Sequence, residues 1–250
     1  MRRLKMTKTT SDTRRLDMGF KANIGIIGAM DDEVREIISH LEDKSVETVS
    51  GIDFHTGKLF GKNVVIARCG VGKVFAAICA EAMIIKYSPD LIVNTGVGGA
   101  VDKVLRPLDI VFADKLVQHD MDTSAIGDPV GLISGINRVY FETDARAREI
   151  LVDAAKTLSV NYYVGTVATG DKFISSVADK NRISSTFGAI ACEMEGGAIA
   201  HTSFVNGTPF IVVRAISDSA DGDASMDYPT FLPIAADIST DLTLALIEKY

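Results

Sequence analysis

Cysteine is scarce: Cys69, Cys79 and Cys192 are the only three in 250 residues, and none belongs to a CxxC pair. An odd number without a pairing motif excludes a disulfide framework. It suits a reducing cytoplasm, with the thiols acting as small core fillers. Histidine is equally sparse. His40, His55, His119 and His201 contain no HxxxH or HExxH spacing that would put two imidazoles on one helical face. No metal site and no cofactor are therefore expected. A surplus of positive charge is also missing. At a formal net charge of -7, nothing would neutralise a run of phosphates, so neither nucleic acid nor an anionic membrane is an expected partner. No apolar run is long enough to span a bilayer.

What is present is a core-forming chain, 47% hydrophobic and 24% charged, long enough for one large α/β domain or two small ones. Its first 21 residues, MRRLKMTKTTSDTRRLDMGFK, are basic and polar and lack the apolar stretch of a signal peptide. Asp12 and Asp17 interrupt any transit-peptide pattern. Residues 1–22 read as a disordered extension and residues 23–250 as one domain, with no linker, repeat or low-complexity tract inside it.

Within that domain, apolar runs alternate with helical patterns. NIGIIGAM reads as a buried strand and DDEVREIISHL as a helix whose leading acids suit its N-terminus. GIDFHTGKLFGKNVVIARCGVGK reads as a hairpin running into a loop, and VFAAICAEAMIIKY as an apolar helix. DLIVNTGVGGA, DIVFADKLVQHD, NYYVGTVATGD and PFIVVRAISDSAD read as further strands. ETDARAREILVDAAKTLS and the C-terminal PTFLPIAADISTDLTLALIEKY read as helices. Continuous Val/Ile-rich strands alternating with helices predict a three-layer α/β/α sandwich around a mixed, mostly parallel sheet.

The polar residues follow the strands. Glu33, Gly70–Gly72, Gly96–Gly99, Gly170–Asp171 and Asp218 all stand just past apolar runs. Ligands of such sheets bind beyond the carboxyl ends of the strands, so these loops can converge on one pocket. None of the glycine turns is a nucleotide fingerprint. GVGK lacks the leading glycine of a phosphate loop and has Val74 where Ser or Thr is required, and GIIGAM and GVGGA are not GxGxxG. Taken singly, each polar residue also has an ordinary reading. Glu33 could be a solvated first-turn acid, Asp218 a turn residue, Phe173 core, and Arg214 half of a buried ion pair. FGAIACEMEGGAIAH is harder to dismiss, because it sets Glu193 and Glu195 among small and apolar residues, and carboxylates are rarely buried unless paired or used.

In combination, NIGIIGAMDDEV, ARCGVGKV, NTGVGGA, TGDKFI, CEMEGGAIA and VVRAISDSAD, in this order, resemble the 5′-methylthioadenosine/S-adenosylhomocysteine nucleosidases of the purine nucleoside phosphorylase superfamily, from Asn23 to Tyr250. The resemblance implies a homodimer that hydrolyses the N-glycosidic bond of an adenine thionucleoside. It implies Asp218 as the acid at purine N7 and Glu33 as the group that activates water. Glu195 would hold the ribose hydroxyls and Met194 would line the sugar. Phe173 and Ile174 would receive the adenine, with Met30, Val71, Val97, Gly98, Gly99, Arg214 and Tyr228 completing the substrate site. Glu193 would stand behind it, beside Arg214. Cleavage through an oxocarbenium-like state, with a leaving base that needs a proton, fits that set of carboxylates independently.

Four positions depart from the family pattern, among them Tyr228, which would replace a Phe beside the 5′ group. Val97 stands where Ser is usual, and Ile126 and Asp128 stand where aromatics from a partner subunit usually flank the 5′ group. The 5′ end is therefore expected to be wider and more polar than usual. Other readings remain. A nucleoside phosphorylase would need an anion site, which Arg68 and Lys73 keep open although NTGVGGA has no Arg. A hydrolase of another 5′-substituted nucleoside, such as an aminofutalosine, would use the same chemistry. A non-catalytic nucleoside-binding protein would not need an acid and a base on one bond.

Overall fold

A computed structural model describes residues 20–218 and 224–250, the side chains of 224–230 excepted. The elements alternate as β1 (Ile24–Gly28), α1 (Asp31–Ser39), β2 (Glu42–Val49), β3 (Ile52–Leu59), β4 (Lys62–Arg68), α2 (Lys73–Tyr87), β5 (Leu91–Ala100), β6 (Ile110–Gln118) and β7 (Tyr140–Glu142). There follow α3 (Ala145–Leu158), β8 (Tyr162–Thr169), α4 (Val177–Phe187), β9 (Ala189–Glu193), α5 (Gly196–Asn206), β10 (Phe210–Asp218) and α6 (Ala224–Lys249). The N-terminal extension assigned from the sequence lies almost wholly outside the described residues.

The strands are apolar on both faces because the sheet is covered on both faces. Along β1 every residue is buried. Ile24 and Ile26 join a core with Val34 and Ile37 of α1 and Leu242 and Leu246 of α6. Ile27 faces the other way, toward Ala76, Cys79 and Met83 of α2 and Ile199 of α5. This period-two division of a continuous apolar run makes three layers. Gly25 has no room for a side chain, since a Cβ there would sit 2.4 Å from the Met83 sulfur. That closeness seats α2 directly on the strand.

The sheet is mixed. Parallel pairing joins β4, β1, β5 and β10, and separately β6, β8 and β9. Antiparallel pairing forms the β2–β3–β4 meander and joins the two parallel groups. β10 pairs with both β5 and β6, and β9 with both β8 and β5, so these five strands close a ring. The β5–β9 contact is made only by the carboxyl tips, Gly99 with Cys192 and Ala100 with Ala191. Tip-to-tip contact brings the carboxyl ends of two oppositely directed strand groups to one place, and the site lies there.

Candidate active site

Five strand ends supply the site. Ala29, Met30 and Glu33 follow β1, Val97–Gly99 form the outer half of β5, and Lys172–Ile174 follow β8. Cys192–Glu195 end β9, and Ser217–Asp218 end β10. All of these, with Val71, line one cavity. Eleven of the residues expected from the sequence therefore lie together: Met30, Glu33, Val71, Val97, Gly98, Gly99, Phe173, Ile174, Met194, Glu195 and Asp218. Two do not. The side chain of Tyr228 lies outside the described residues, and Arg214 lies behind the cavity wall.

Glu33 stands in the first turn of α1 and is 4% exposed. Its Oε2 accepts the Ala29 and Met30 backbone N–H groups at 2.6 and 3.0 Å, and its Oε1 accepts the Val97 N–H at 3.1 Å. Burial raises its pKa, against the lowering effects of Arg214 and the three N–H donors. A carboxylate raised in this way is a better base than a solvated one. Gly96 leaves it space, because a Cβ there would lie 2.4 Å from Oε1.

The two glutamates of FGAIACEMEGGAIAH divide the work. The chain leaves β9 at Glu193 and enters α5 at Gly196, so Glu195 occupies the N-cap. Glu193 Oε2 accepts the Glu195 N–H at 3.0 Å and the Gly196 N–H at 2.5 Å, which places its charge at the helix N-terminus. The Thr169 hydroxyl donates to Glu193 Oε1 and accepts the Gly197 N–H at 2.6 Å. Arg214 Nη2 closes the group with an ion pair to Glu193 Oε2 at 2.5 Å and a bond to the Asn94 side-chain oxygen. Arg214 is 1% exposed and is absent from the cavity wall, so its assignment to substrate is corrected. A guanidinium at the centre of a buried strand is too costly to leave unpaired, and Glu193 takes it up.

Glu195 faces the cavity, with Oε1 accepting the Gly72 N–H at 2.8 Å. That N–H comes from the GVGK loop, whose Gly72 has φ 102°, a left-handed geometry that favours glycine. Burial first, then the Glu193 charge, pushes the Glu195 pKa up to about 7, with Arg214 and the Gly72 N–H opposing. The folded value exceeds the ordinary 4.5, so folding favours the protonated form. This contribution to stability is complete below about pH 4.5 and is lost as pH rises through about 7. Glu195→Gln removes the charge but keeps the Gly72 acceptor. We expect thermal unfolding of the variant to match wild type near pH 4 and to occur at a higher temperature than wild type at pH 8. A difference that does not grow with pH contradicts this account.

Asp218 is 2% exposed. The β5–β10 register shifts between Ile216, opposite Gly98, and Asp218, opposite Gly99. That one-residue bulge re-aims the terminal acid, a common device beside active sites. A Cβ on Gly99 would come within 3.0 Å of Asp218 Oδ2, so this glycine also serves close approach. Ser217 Oγ donates to Oδ1 at 3.1 Å, and Lys180 Nζ lies 3.4 Å from Oδ2. Phe173 is 49% exposed and stands on the cavity wall.

Several lining residues carried no signal of their own. Cys192 reads as a core filler, Ser217 as a turn residue, and Lys172 as a surface charge. Lys180 sits in VADKNRISSTF, a polar stretch not recognised as a helix. Its burial depends on how α4 packs against β8 and β9.

A cavity at converging strand ends, walled by the buried carboxyl groups of Glu33, Glu195 and Asp218, suits an enzyme that cleaves the bond between a sugar and its base. The family model described as the phosphorylase superfamily matches residues 23–248. The 5′-methylthioadenosine/S-adenosylhomocysteine nucleosidase of Staphylococcus aureus (strain JH9) is 39% identical over 227 residues, covering 90% of this chain and 99% of that protein. The structure of the nucleosidase of that name from Neisseria meningitidis, in complex with methylthio-immucillin-A, matches with TM-score 0.87 at 31% identity, over 91% of this chain and 99% of that one. Futalosine hydrolase of Helicobacter pylori matches with TM-score 0.87 at 32% identity, over 91% and 97%. The chain belongs to the phosphorylase superfamily and, within it, to the 5′-methylthioadenosine/S-adenosylhomocysteine nucleosidases.

Proposed function

We propose that this protein hydrolyses the N-glycosidic bond of 5′-methylthioadenosine and S-adenosylhomocysteine, releasing adenine and the thioribose product in methionine salvage. The observation that carries the reading is the joint position of Glu33, Glu195 and Asp218 on one cavity wall. Asp218 gives a proton to N7 and the bond electrons pass to N9. Glu33 takes a proton from the water that adds at the anomeric carbon. Glu195 accepts from the ribose hydroxyls, Met194 lines the sugar, and Phe173 stacks on the base. The carboxylates attract a cationic sugar more strongly than a neutral one, which lowers the barrier rather than merely binding substrate.

Hydrolysis is favoured over phosphorolysis because the two candidate anion-binding cations are engaged elsewhere. Arg68 Nε pairs with Asp31 at 3.4 Å, and Lys73 Nζ with Asp120 at 2.7 Å. Incubation with methylthioadenosine, with and without phosphate, tests this. Free 5-methylthioribose should form at a rate indifferent to phosphate. A phosphate-dependent rate yielding a ribose 1-phosphate rejects it. An aminofutalosine-type substrate is the second reading, motivated by the similarity to the Helicobacter pylori futalosine hydrolase, and comparing kcat/KM for methylthioadenosine with that for an aminofutalosine separates the two.

The reaction belongs in the cytoplasm, in keeping with three buried free thiols. Among the described residues, no helix is long and apolar enough to cross a membrane. The enzyme works as a homodimer through the α2–α5 face. An apolar groove there includes Val74, Ile78, Ile85 and Val205, and Val74 and Ile85 are 70% and 71% exposed. Ile126, 81% exposed in a short 3₁₀ turn, is free to reach a partner's 5′ pocket. Asp128 instead serves its own loop, accepting the Thr123 and Ser134 hydroxyls at 2.8 and 3.3 Å. Sedimentation should give a dimer, and Val74→Glu should dissociate it and lower activity. Ile126→Phe should shift the kcat/KM ratio of the two substrates by no more than about 1–3 kcal/mol. A fully active monomer is the contrary result.

A further inference from the structure

We infer that Lys180 is a positioning residue for the acid: its ammonium, buried against Asp218, strengthens Asp218 as the proton donor to the leaving base. The inference rests on the assignment of Asp218 above. It starts from the placement of the lysine. Surface helices normally turn lysine outward or let its head reach water. Lys180, in the first turns of α4, is instead 1% exposed. Its Nζ lies 3.4 Å from Asp218 Oδ2, with both side chains buried. An ammonium is expensive to bury, and a carboxyl group beside it gives up its proton more readily.

The sign of the effect follows from the charge count. Before transfer, Lys180 faces a neutral carboxylic acid. The proton then moves from Asp218 to N7 and the glycosidic electron pair goes to N9. Water adds at the anomeric carbon and gives a proton to Glu33, and solvent returns a proton to Asp218. Once the Asp218 proton has left, Lys180 faces the Asp218 carboxylate. Their attraction therefore grows along the reaction, which is the kind of interaction that speeds a chemical step.

Among the described residues, few other charges face Asp218. Cys192 of β9 has its thiol pushed up to about 12, chiefly by burial, and stays neutral. β5 offers backbone at Gly98 and Gly99, and β10 the Ser217 hydroxyl. Lys172 also lines the cavity, but its Nζ is held by Asp179 at 2.8 Å. Glu33 of α1, Glu193 of β9 and Glu195 at the start of α5 line the same cavity.

The test compares two leaving groups. Adenine needs a proton at N7, whereas the p-nitrophenoxide of an aryl 5-methylthioriboside leaves without one. Lys180→Met should weaken the acid. The limb of kcat/KM for methylthioadenosine that falls as Asp218 deprotonates should then move to higher pH by about 1–3 units, the usual reach of a neighbouring opposite charge. The plateau below that limb should drop by about 3–30-fold. Hydrolysis of the aryl glycoside should lose far less, and Lys180→Arg should restore much of the wild-type profile. If Lys180→Met does not fold, Lys180→Gln is read in the same way. An unmoved pH profile, or equal losses for both leaving groups, overturns the inference and leaves Lys180 a structural residue. Asp218→Asn run in parallel separates the two failures. If it too releases adenine normally, the acid assignment is wrong. If it is slow while the lysine variants keep the wild-type profile, only the role of Lys180 is wrong.

Discussion

Asp218→Asn should lower kcat for methylthioadenosine by at least about 10²-fold. The substitution is nearly isosteric, and the amide cannot release a proton to N7. The Ser217 hydroxyl can still donate to the remaining oxygen, and the space that Gly99 leaves is unchanged. Thermal unfolding and the affinity for a non-hydrolysable adenine analogue should therefore stay close to wild type. Turnover near normal would remove Asp218 from the chemistry. Glu33→Gln should cost a similar factor by a different route. Its two oxygens accept three backbone N–H groups, two at Oε2 and one at Oε1. An amide must point its NH₂ at one of those donors, leaving an N–H unsatisfied at about 1–3 kcal/mol. Glu33→Gln should thus lose stability as well as rate, and Asp218→Asn rate alone. Unfolding measurements beside kinetics distinguish the two patterns.

Arg214→Met should destabilise the fold by about 3–5 kcal/mol, because it strands Glu193 as an uncompensated buried charge. Glu193 is fixed where it is, since its Oε2 also accepts the Glu195 and Gly196 N–H groups. It cannot swing to water without uncapping α5. The double variant Arg214→Met, Glu193→Gln should recover a substantial part of the loss, since a neutral amide keeps an acceptor for the helix cap. Urea unfolding of the single and double variants near pH 7 measures both. A loss under about 1 kcal/mol in the single variant would show that the pair contributes little. Arg214 also lowers the pKa of Glu195 and of Glu33. Its removal should leave both carboxylates more protonated at neutral pH, so activity should fall further than stability alone accounts for.

Much of this was legible in the residues. The apolar runs that became β1, β5, β6, β8 and β10 are long, Val/Ile-rich and bounded by glycine turns, and burial on both faces leaves that mark on a sequence. α1 and α3 carry apolar residues at helical spacing because each buries one stripe. β2 was not read, since EDKSVETV is exposed along almost its whole length and shows no alternation. β7 is three residues long, too short for any period. α4 buries only Lys180, Ile183 and Phe187, so its stripe contains a lysine and looks polar.

The sequence by itself determined the layer order, the loops that hold polar residues, and the acids available to them. These are local properties, written in periodicity and in which residue types follow each strand. Only the tertiary structure decided which of those groups meet. Gly72 reaches Glu195 across 123 residues of chain, Asn94 reaches Arg214 across 120, and Lys180 reaches Asp218 across 38. A side chain's direction along its own element follows from its spacing. Its partner follows from how the crossovers and the tip-to-tip β5–β9 pairing bring separate elements together. That is why Arg214, reasonable as a ligand group in isolation, is a buried counter-charge, and why an unremarked lysine of α4 stands beside the acid.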